Sequence, residues 1–172
     1  MKIGNYTIRK ATAEDTDDII ALLVNAANWI KTKGFDQWDY YLTDLEKNKQ
    51  EIVDSIEHQA SYVLKDRMLT IATVTLEGRA NEWDDEIWGE EAKQPNVIYL
   101  HRLVVHREYA GQNLGSKIIN WSKKYVKNKG YSCIRFDCIG SNEKLNEYYK
   151  QHCPLKERIE IYGGHSKYEI PL

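Results

Sequence analysis

A chain of 172 residues, 42% hydrophobic, with 24 basic and 26 acidic side chains, is the size of one ordinary domain and can bury one sizeable core. Its formal net charge of -2 supplies no bulk field to recruit nucleic acid or an anionic membrane. No apolar run approaches the roughly 20 residues needed to span a bilayer, and the opening MKIGNYTIRKA lacks the basic-then-apolar signature of a secretory leader, so a single cytoplasmic domain over residues 1–172 is expected.

In chain order, Tyr6 to Lys10 alternates as a strand does, and Thr12 with Asp15 reads as a capping box. The apolar stripe Ile19, Ile20, Leu22, Leu23, Ala26, Ala27 and Ile30 predicts a helix running to Lys33, with Gly34 as its stop. An aromatic connection follows, holding Trp29 at its edge and then Phe35, Trp38 and Tyr40. Beyond it Leu45, Ile52, Val53 and Ile56 mark one face of a second helix. The β-rich runs 61–65 and 68–76, parted by Asp66 and Arg67, predict a tight antiparallel hairpin.

The segment NEWDDEIWGEE is the oddest composition in the chain. Its six carboxylates surround Trp83 and Trp88 without one basic residue, and it reads either as a pocket wall favouring a cationic amine or as a surface loop with solvated acids over buried tryptophans. Residues 96–105 (NVIYLHRLVV) are a near-continuous apolar strand of the kind buried on both faces. A glycine-containing loop leads from this strand into a helix carrying Leu114, Ile118, Trp121, Tyr125 and Val126, closed at Asn128 to Gly130. With the strand 131–139 this makes a βαβ unit, whose two strands should be parallel. Ser141 is the expected cap of a short helix that Pro154 prevents from continuing, and a hairpin turning at Gly163-Gly164 ends the chain. Cys133, Cys138 and Cys153 are odd in number and suit free buried thiols. His152 beside Cys153 makes a metal site conceivable, but without any C-x-x-C pair no metal is expected.

The loop 110–115 (AGQNLG) sits where backbone N–H groups and the positive end of a helix dipole point at a common guest, usually a pyrophosphate. A P-loop would need Gly-Lys-Ser/Thr, and a Rossmann fingerprint would need Gly-x-Gly-x-x-Gly near the start of the fold; neither is present. A plain βα turn remains the bland alternative.

The stretch resembles the acyl-CoA loop of the GNAT N-acetyltransferase superfamily. There a strand ending Leu-x-Val leads through Arg/Gln-x-x-Gly-x-Gly/Ala into a helix. Leu103, Val104 and Val105 match the strand end, and Ala110, Gly111, Gln112, Asn113, Leu114 and Gly115 match the loop, followed by Ser116. Asn142, Leu145 and Tyr149 match the family's Asn-x-x-Ala-x-x-x-Tyr pattern. The core of the match spans residues 97–150; outside it only element order agrees. Two positions depart. Asn113 replaces a glycine but tolerates positive φ, and Ala110 replaces an Arg or Gln, removing a polar group from the loop start.

The resemblance implies an α/β (α+β type) fold. Its mixed, mostly antiparallel central sheet has about six to seven strands, with a parallel splayed central pair and about four helices on both faces. It also implies an enzyme moving an acetyl group from acetyl-CoA, without a metal, to a primary amine of a small molecule or peptide by direct attack. Cofactor contacts fall to Leu103, Val104, Val105, Ala110 to Ser116, Asn142 and Tyr149, with Arg107 and Lys117 flanking the loop. Tyr149 is the candidate acid for the departing thiolate, with a packed core tyrosine as the alternative.

His101 is the candidate base, since alternation places Tyr99, His101, Leu103 and Val105 on one face; a satisfied core histidine is the other reading. Trp29, Trp38, Tyr40 and Asp137 are candidate acceptor contacts, with Asp137 alternatively in an ion pair with Arg102 or Arg135. A catalytically weak acyl-CoA-binding sensor or scaffold is the rival function. Acetyl-CoA and an amine acceptor are the expected partners, with neither nucleic acid nor membrane, and homodimerisation is left open.

Overall fold

A computed structural model describes residues 1–172. The order of elements is β1 (Lys2–Ile3), β2 (Tyr6–Lys10), α1 (Thr16–Lys31), α2 (Tyr40–Thr43), α3 (Leu45–Glu57), β3 (Ser61–Asp66), β4 (Leu69–Glu77), α4 (Glu82–Trp88), β5 (Val97–Val105), α5 (Leu114–Lys127), β6 (Cys133–Ile139), α6 (Glu143–Lys150), β7 (Leu155–Ile159) and β8 (His165–Pro171). The strands form one eight-stranded sheet in the order β1-β2-β3-β4-β5-β6-β8-β7. Of its described pairings only β5 with β6 is parallel, as the βαβ reading requires. The eighth strand, beyond the six to seven expected, is the two-residue β1, folded back on β2 through Gly4 at φ 60. The two helices beyond the expected four are α2 in the aromatic connection and α4 in the acidic segment. None of the helices is long and apolar enough to cross a membrane.

Two compact units divide the chain. Met1–Leu76 and Arg102–Ile119 make the first. Its core joins Leu22, Leu23, Ile52, Ile56, Val63 and Val104 around Tyr41, which is how the stripe on α1 and the face of α3 are buried. The capping residues do more than start α1. Asp15 accepts the Thr12 N–H at 2.9 Å and also holds Arg9 at 2.6 Å and Lys65 at 3.0 Å, tying the helix start to β2 and β3. The β3–β4 hairpin turns at Arg67, which takes φ 54.

Glu77–His101 and Asn120–Leu172 make the second unit. Ile87 and Trp88 of α4 pack there against Val97 and Tyr99 of β5 and Cys133 of β6. Trp88 lies beneath three cations: Arg135 and Lys167 are each 4.7 Å from its ring centre and Lys156 is 5.5 Å away. The β5–β6 ladder runs only from Val97↔Cys133 to Tyr99↔Arg135, so the parallel pair opens after three matched residues. The acidic segment is therefore a helix rather than a loop. Asn81 caps it by accepting the Asp84 N–H at 2.8 Å while Asp84 accepts the Asn81 N–H at 3.1 Å, and this box lets a run of carboxylates begin a helix.

Candidate active site

In the first unit, β5 leaves regular geometry at Arg102, whose φ of 51 is uncommon for a non-glycine residue and interrupts the alternation expected to carry from His101 to Leu103 and Val105. Arg102 is held there by Thr75 Oγ1 at 3.4 Å and Glu51 at 3.5 Å. Val104 turns into the core; Leu103 and Val105 stay half-buried. Beyond the strand, His106 Nδ1 accepts the Glu108 N–H at 3.3 Å, and Tyr109 donates to Asp66 at 2.8 Å.

The loop then takes two left-handed steps, Gly111 at φ 82 and Asn113 at φ 56. Asparagine thus occupies the left-handed position directly before α5, and its carbonyl accepts the Lys117 N–H at 3.0 Å. Leu114 anchors the first turn in the core, while Ala110, Gln112 and Lys117 are exposed and Gly115 and Ser116 half-buried. Tyr6 donates to Gln112 Oε1 at 2.9 Å, a contact from β2 that steadies the loop. The opening N–H groups of a fourteen-residue helix have no intrahelical acceptors, so this geometry presents donors and a positive dipole end together.

Arg107, expected to flank the loop, lays its guanidinium on the Trp29 ring at 3.9 Å. Trp38 and Tyr40 pack about the buried Tyr41, at centroid distances of 6.0 and 4.5 Å. All three aromatic candidates lie in the first unit, and their described contacts are structural.

The second unit holds two histidine–carboxylate pairs. His101 Nε2 lies 3.1 Å from Asp84 Oδ2, with Asp84 fully enclosed. His165 Nδ1 lies 2.8 Å from Asp137 Oδ2, and Trp83 donates its indole N–H to the other oxygen of Asp137 at 3.1 Å. Asp137 therefore pairs with neither arginine considered for it. Arg135 turns instead to Glu169, directly opposite on β8, at 2.7 Å, and Arg102 belongs to Glu51. Trp83, Asp84 and His165 escape a reading by composition. The Asn-x-x-Asp box at Asn81–Asp84 was the available signal for the helix, but nothing local points to the long-range partners.

Tyr149 lies among Phe136, Tyr148 and Tyr168, with ring centres 4.7, 5.4 and 5.7 Å away. Burial, with smaller contributions from Cys138 and neighbouring tyrosines, pushes its hydroxyl well above the usual phenol range, so it keeps its proton and can only donate it. The α6 cap is Asn142, which accepts the Leu145 N–H at 3.1 Å, rather than Ser141. A further residue not anticipated, buried Asn146, donates to the carbonyls of Ile139 and Asn142 at 3.1 and 2.9 Å and accepts from Tyr168 at 2.8 Å, fixing α6 to β6 and β8. The three cysteines are free and buried, and burial raises Cys138 to about 12 and Cys153 to about 11, which leaves both as inert thiols.

A backbone donor loop at a helix start in the first unit, and in the second a parallel strand ladder that ends after three residues and a half-buried tyrosine, are each parts suited to an acyltransferase of the mixed α/β kind. The family model "Acetyltransferase (GNAT) family" matches residues 25–153. The N-acetyltransferase YesJ of Bacillus subtilis is 33% identical over 156 residues, covering 87% of this chain and 85% of the relative. A GNAT acetyltransferase of Listeria monocytogenes superposes with a TM-score of 0.79 at 26% identity, covering 97% of this chain and 95% of the other. The PaiA N-acetyltransferase of Thermoplasma acidophilum, solved in complex with coenzyme A, superposes at 0.69 with 20% identity, covering 97% of this chain and 99% of the other. The chain belongs to the GNAT acetyltransferase family and is an N-acetyltransferase.

Proposed function

We propose that the protein transfers an acetyl group from acetyl-CoA to a primary amine of a small molecule or peptide by direct attack, with residues 1–172 acting as one catalytic domain. The observation that carries this reading is the loop geometry: left-handed Gly111 and Asn113 immediately before α5 keep a donor-rich path although one family glycine is absent. The residues fit acetyl-CoA. Gly111 to Ser116 would hold its pyrophosphate, and the backbone of Leu103 to Val105 its pantetheine arm and thioester carbonyl, where negative charge develops. That a similar fold was solved in complex with coenzyme A supports a coenzyme A ligand.

A lysine-like amine has a pKa near 10.4, so only about one molecule in a thousand is neutral at pH 7 and a proton must be removed before attack. His101 is the proposed acceptor of that proton. Its contact with Asp84 fixes the orientation of the ring. The amine nitrogen bonds to the acetyl carbon, the carbon–sulfur bond breaks, and Tyr149 is the proposed donor to the leaving thiolate. A phenol of raised pKa is a weak acid for a thiolate of pKa about 8.5, so Tyr149 contributes through placement more than acidity.

Thiol release from acetyl-CoA, measured against polyamines, amino sugars, amino acids and peptide N-termini, tests the proposal; no release with any amine would remove it. Ala110 favours one other reading, an acyl-CoA-binding module with little turnover, because it supplies no polar group at the loop start. A melting-temperature rise with acetyl-CoA but no thiol release identifies that case.

A further inference from the structure

In the first unit the end of β5 is pinned at three places. Val104 is buried in the core, and the His106 N–H donates to the Ile71 carbonyl at 2.8 Å. The third is Arg102, at φ 51. An arginine lacks the short polar side chain with which asparagine favours left-handed backbone, so the turn is held by what surrounds it.

Behind Arg102 runs a chain of buried hydroxyls. Thr75 of β4 and Ser61 of β3 face each other in the hairpin register with their oxygens 3.2 Å apart, and Ser61 lies 2.8 Å from Ser55 of α3. Ser55 donates to the Ile52 carbonyl at 2.8 Å. Each hydroxyl has a single hydrogen, so this last bond sets the direction of the rest: Ser61 donates to Ser55, and Thr75 donates to Ser61. Thr75 Oγ1 then has only a lone pair to offer, and the Arg102 Nε–H takes it at 3.4 Å. Residue 102 must bring a donor to this place, and a guanidinium is a donor only. Glu51, at 3.5 Å on the other side, is 66% exposed against 14% for Arg102, so the enclosed chain rather than the solvated carboxylate locates the guanidinium.

We propose that Arg102 is a positioning residue for transfer: its guanidinium, seated on the Thr75–Ser61–Ser55 chain, holds the left-handed turn that sets the Leu103 to Val105 backbone for the thioester. This rests on the acetyl-transfer reading and deepens it. Leu103 lies between two anchored residues, Arg102 and Val104, so its peptide groups are set before a ligand arrives.

Calorimetry with acetyl-CoA on the full chain tests this without depending on turnover. Arg102→Gly and Arg102→Ala both remove the guanidinium, but only glycine takes the left-handed turn without steric cost. Glycine is also the weaker strand residue, so a merely structural role would make the two variants equal or the glycine variant worse. The opposite order is expected: the dissociation constant rises about tenfold or more in Arg102→Ala and about threefold or less in Arg102→Gly. Thr75→Val, which cuts the chain and keeps the arginine, is expected to weaken binding about threefold alone and to add nothing to Arg102→Gly. Equal losses in the two Arg102 variants, a larger loss with glycine, no effect of Thr75→Val, or the same effect of it in both backgrounds each overturn the inference. Thiol release by the unaltered chain distinguishes the two readings. Release together with any of those results leaves transfer standing and removes the role of Arg102. An unaltered chain that binds no acetyl-CoA removes both.

Discussion

In the loop from Ala110 to Gly115 the proposed working groups are backbone N–H donors, in a stretch exposed from Ala110 to Asn113 and carrying two left-handed residues. Around α4 they are side chains, and each is held by a partner distant in sequence: Asp84 by His101, Trp83 by Asp137, Asp137 by His165. A backbone device tolerates change in its side chains so long as φ is respected, which is why Asn113 can replace a glycine. A side-chain device tolerates very little, because each member sets the orientation or tautomer of the next.

The contrast can be broken most directly at Tyr149. Tyr149→Phe is expected to lower kcat by about ten- to a thousand-fold with the melting temperature nearly unchanged; full activity in steady-state assays would return Tyr149 to the core. Next in size, His101→Gln and Asp84→Asn are each expected to lower kcat/KM by about ten- to a hundred-fold and to flatten its acid limb. Asp84→Asn should also lower thermal stability, since the enclosed carboxylate serves the α4 cap. A pH profile that keeps its shape in both variants would make the pair structural.

In the loop, the effect should be smaller and come from the main chain. Gly111→Ala is expected to cost about 1 kcal/mol through φ 82, with coenzyme A affinity falling in parallel while Gln112→Ala changes it less. Equal losses from the two variants would mean that side chains carry the loop after all. The smallest effect concerns acid stability in the first unit. Burial opposes the charge on Asp15, but hydrogen bonds from Arg9, Thr12 and Lys65 outweigh it and hold the carboxyl far below its usual range. A depressed carboxylate stabilises the fold above its unfolded pKa, and that contribution is lost as pH falls toward the folded value. About 1 kcal/mol should go between pH 5 and 3, and Asp15→Asn should remove this component of the melting curve's pH dependence.

What the sequence disclosed follows the same division. The α1 stripe, the β3–β4 hairpin, the βαβ order and the loop are patterns within a short window, and each is present. Asn113 at positive φ follows from asparagine's own conformational range. The His101–Asp84 and His165–Asp137 pairs join residues 17 and 28 positions apart, and no periodicity encodes them. The acidic run read either as a pocket wall or as a solvated loop; most of its carboxylates are exposed, but the box at Asn81 draws Asp84 inward and makes the segment a helix. Arg102 shows the limit from another side. Alternation is a property of regular strands, and one left-handed residue ended it where Leu103 begins.

Helix α4 is seven residues long, well short of the dozen or so at which a helix holds its own shape in water. Its order therefore comes from the Asn81 cap and from seating Ile87 and Trp88. Since Trp83 and Asp84 are neighbours on it, the two histidines are not independent parts. Loosening the cap releases both at once, so effects of Asn81→Ala, His101→Gln and His165→Gln on melting temperature should be strongly non-additive when combined, and α4 with its two histidine–carboxylate pairs should melt as one cooperative element before the sheet does.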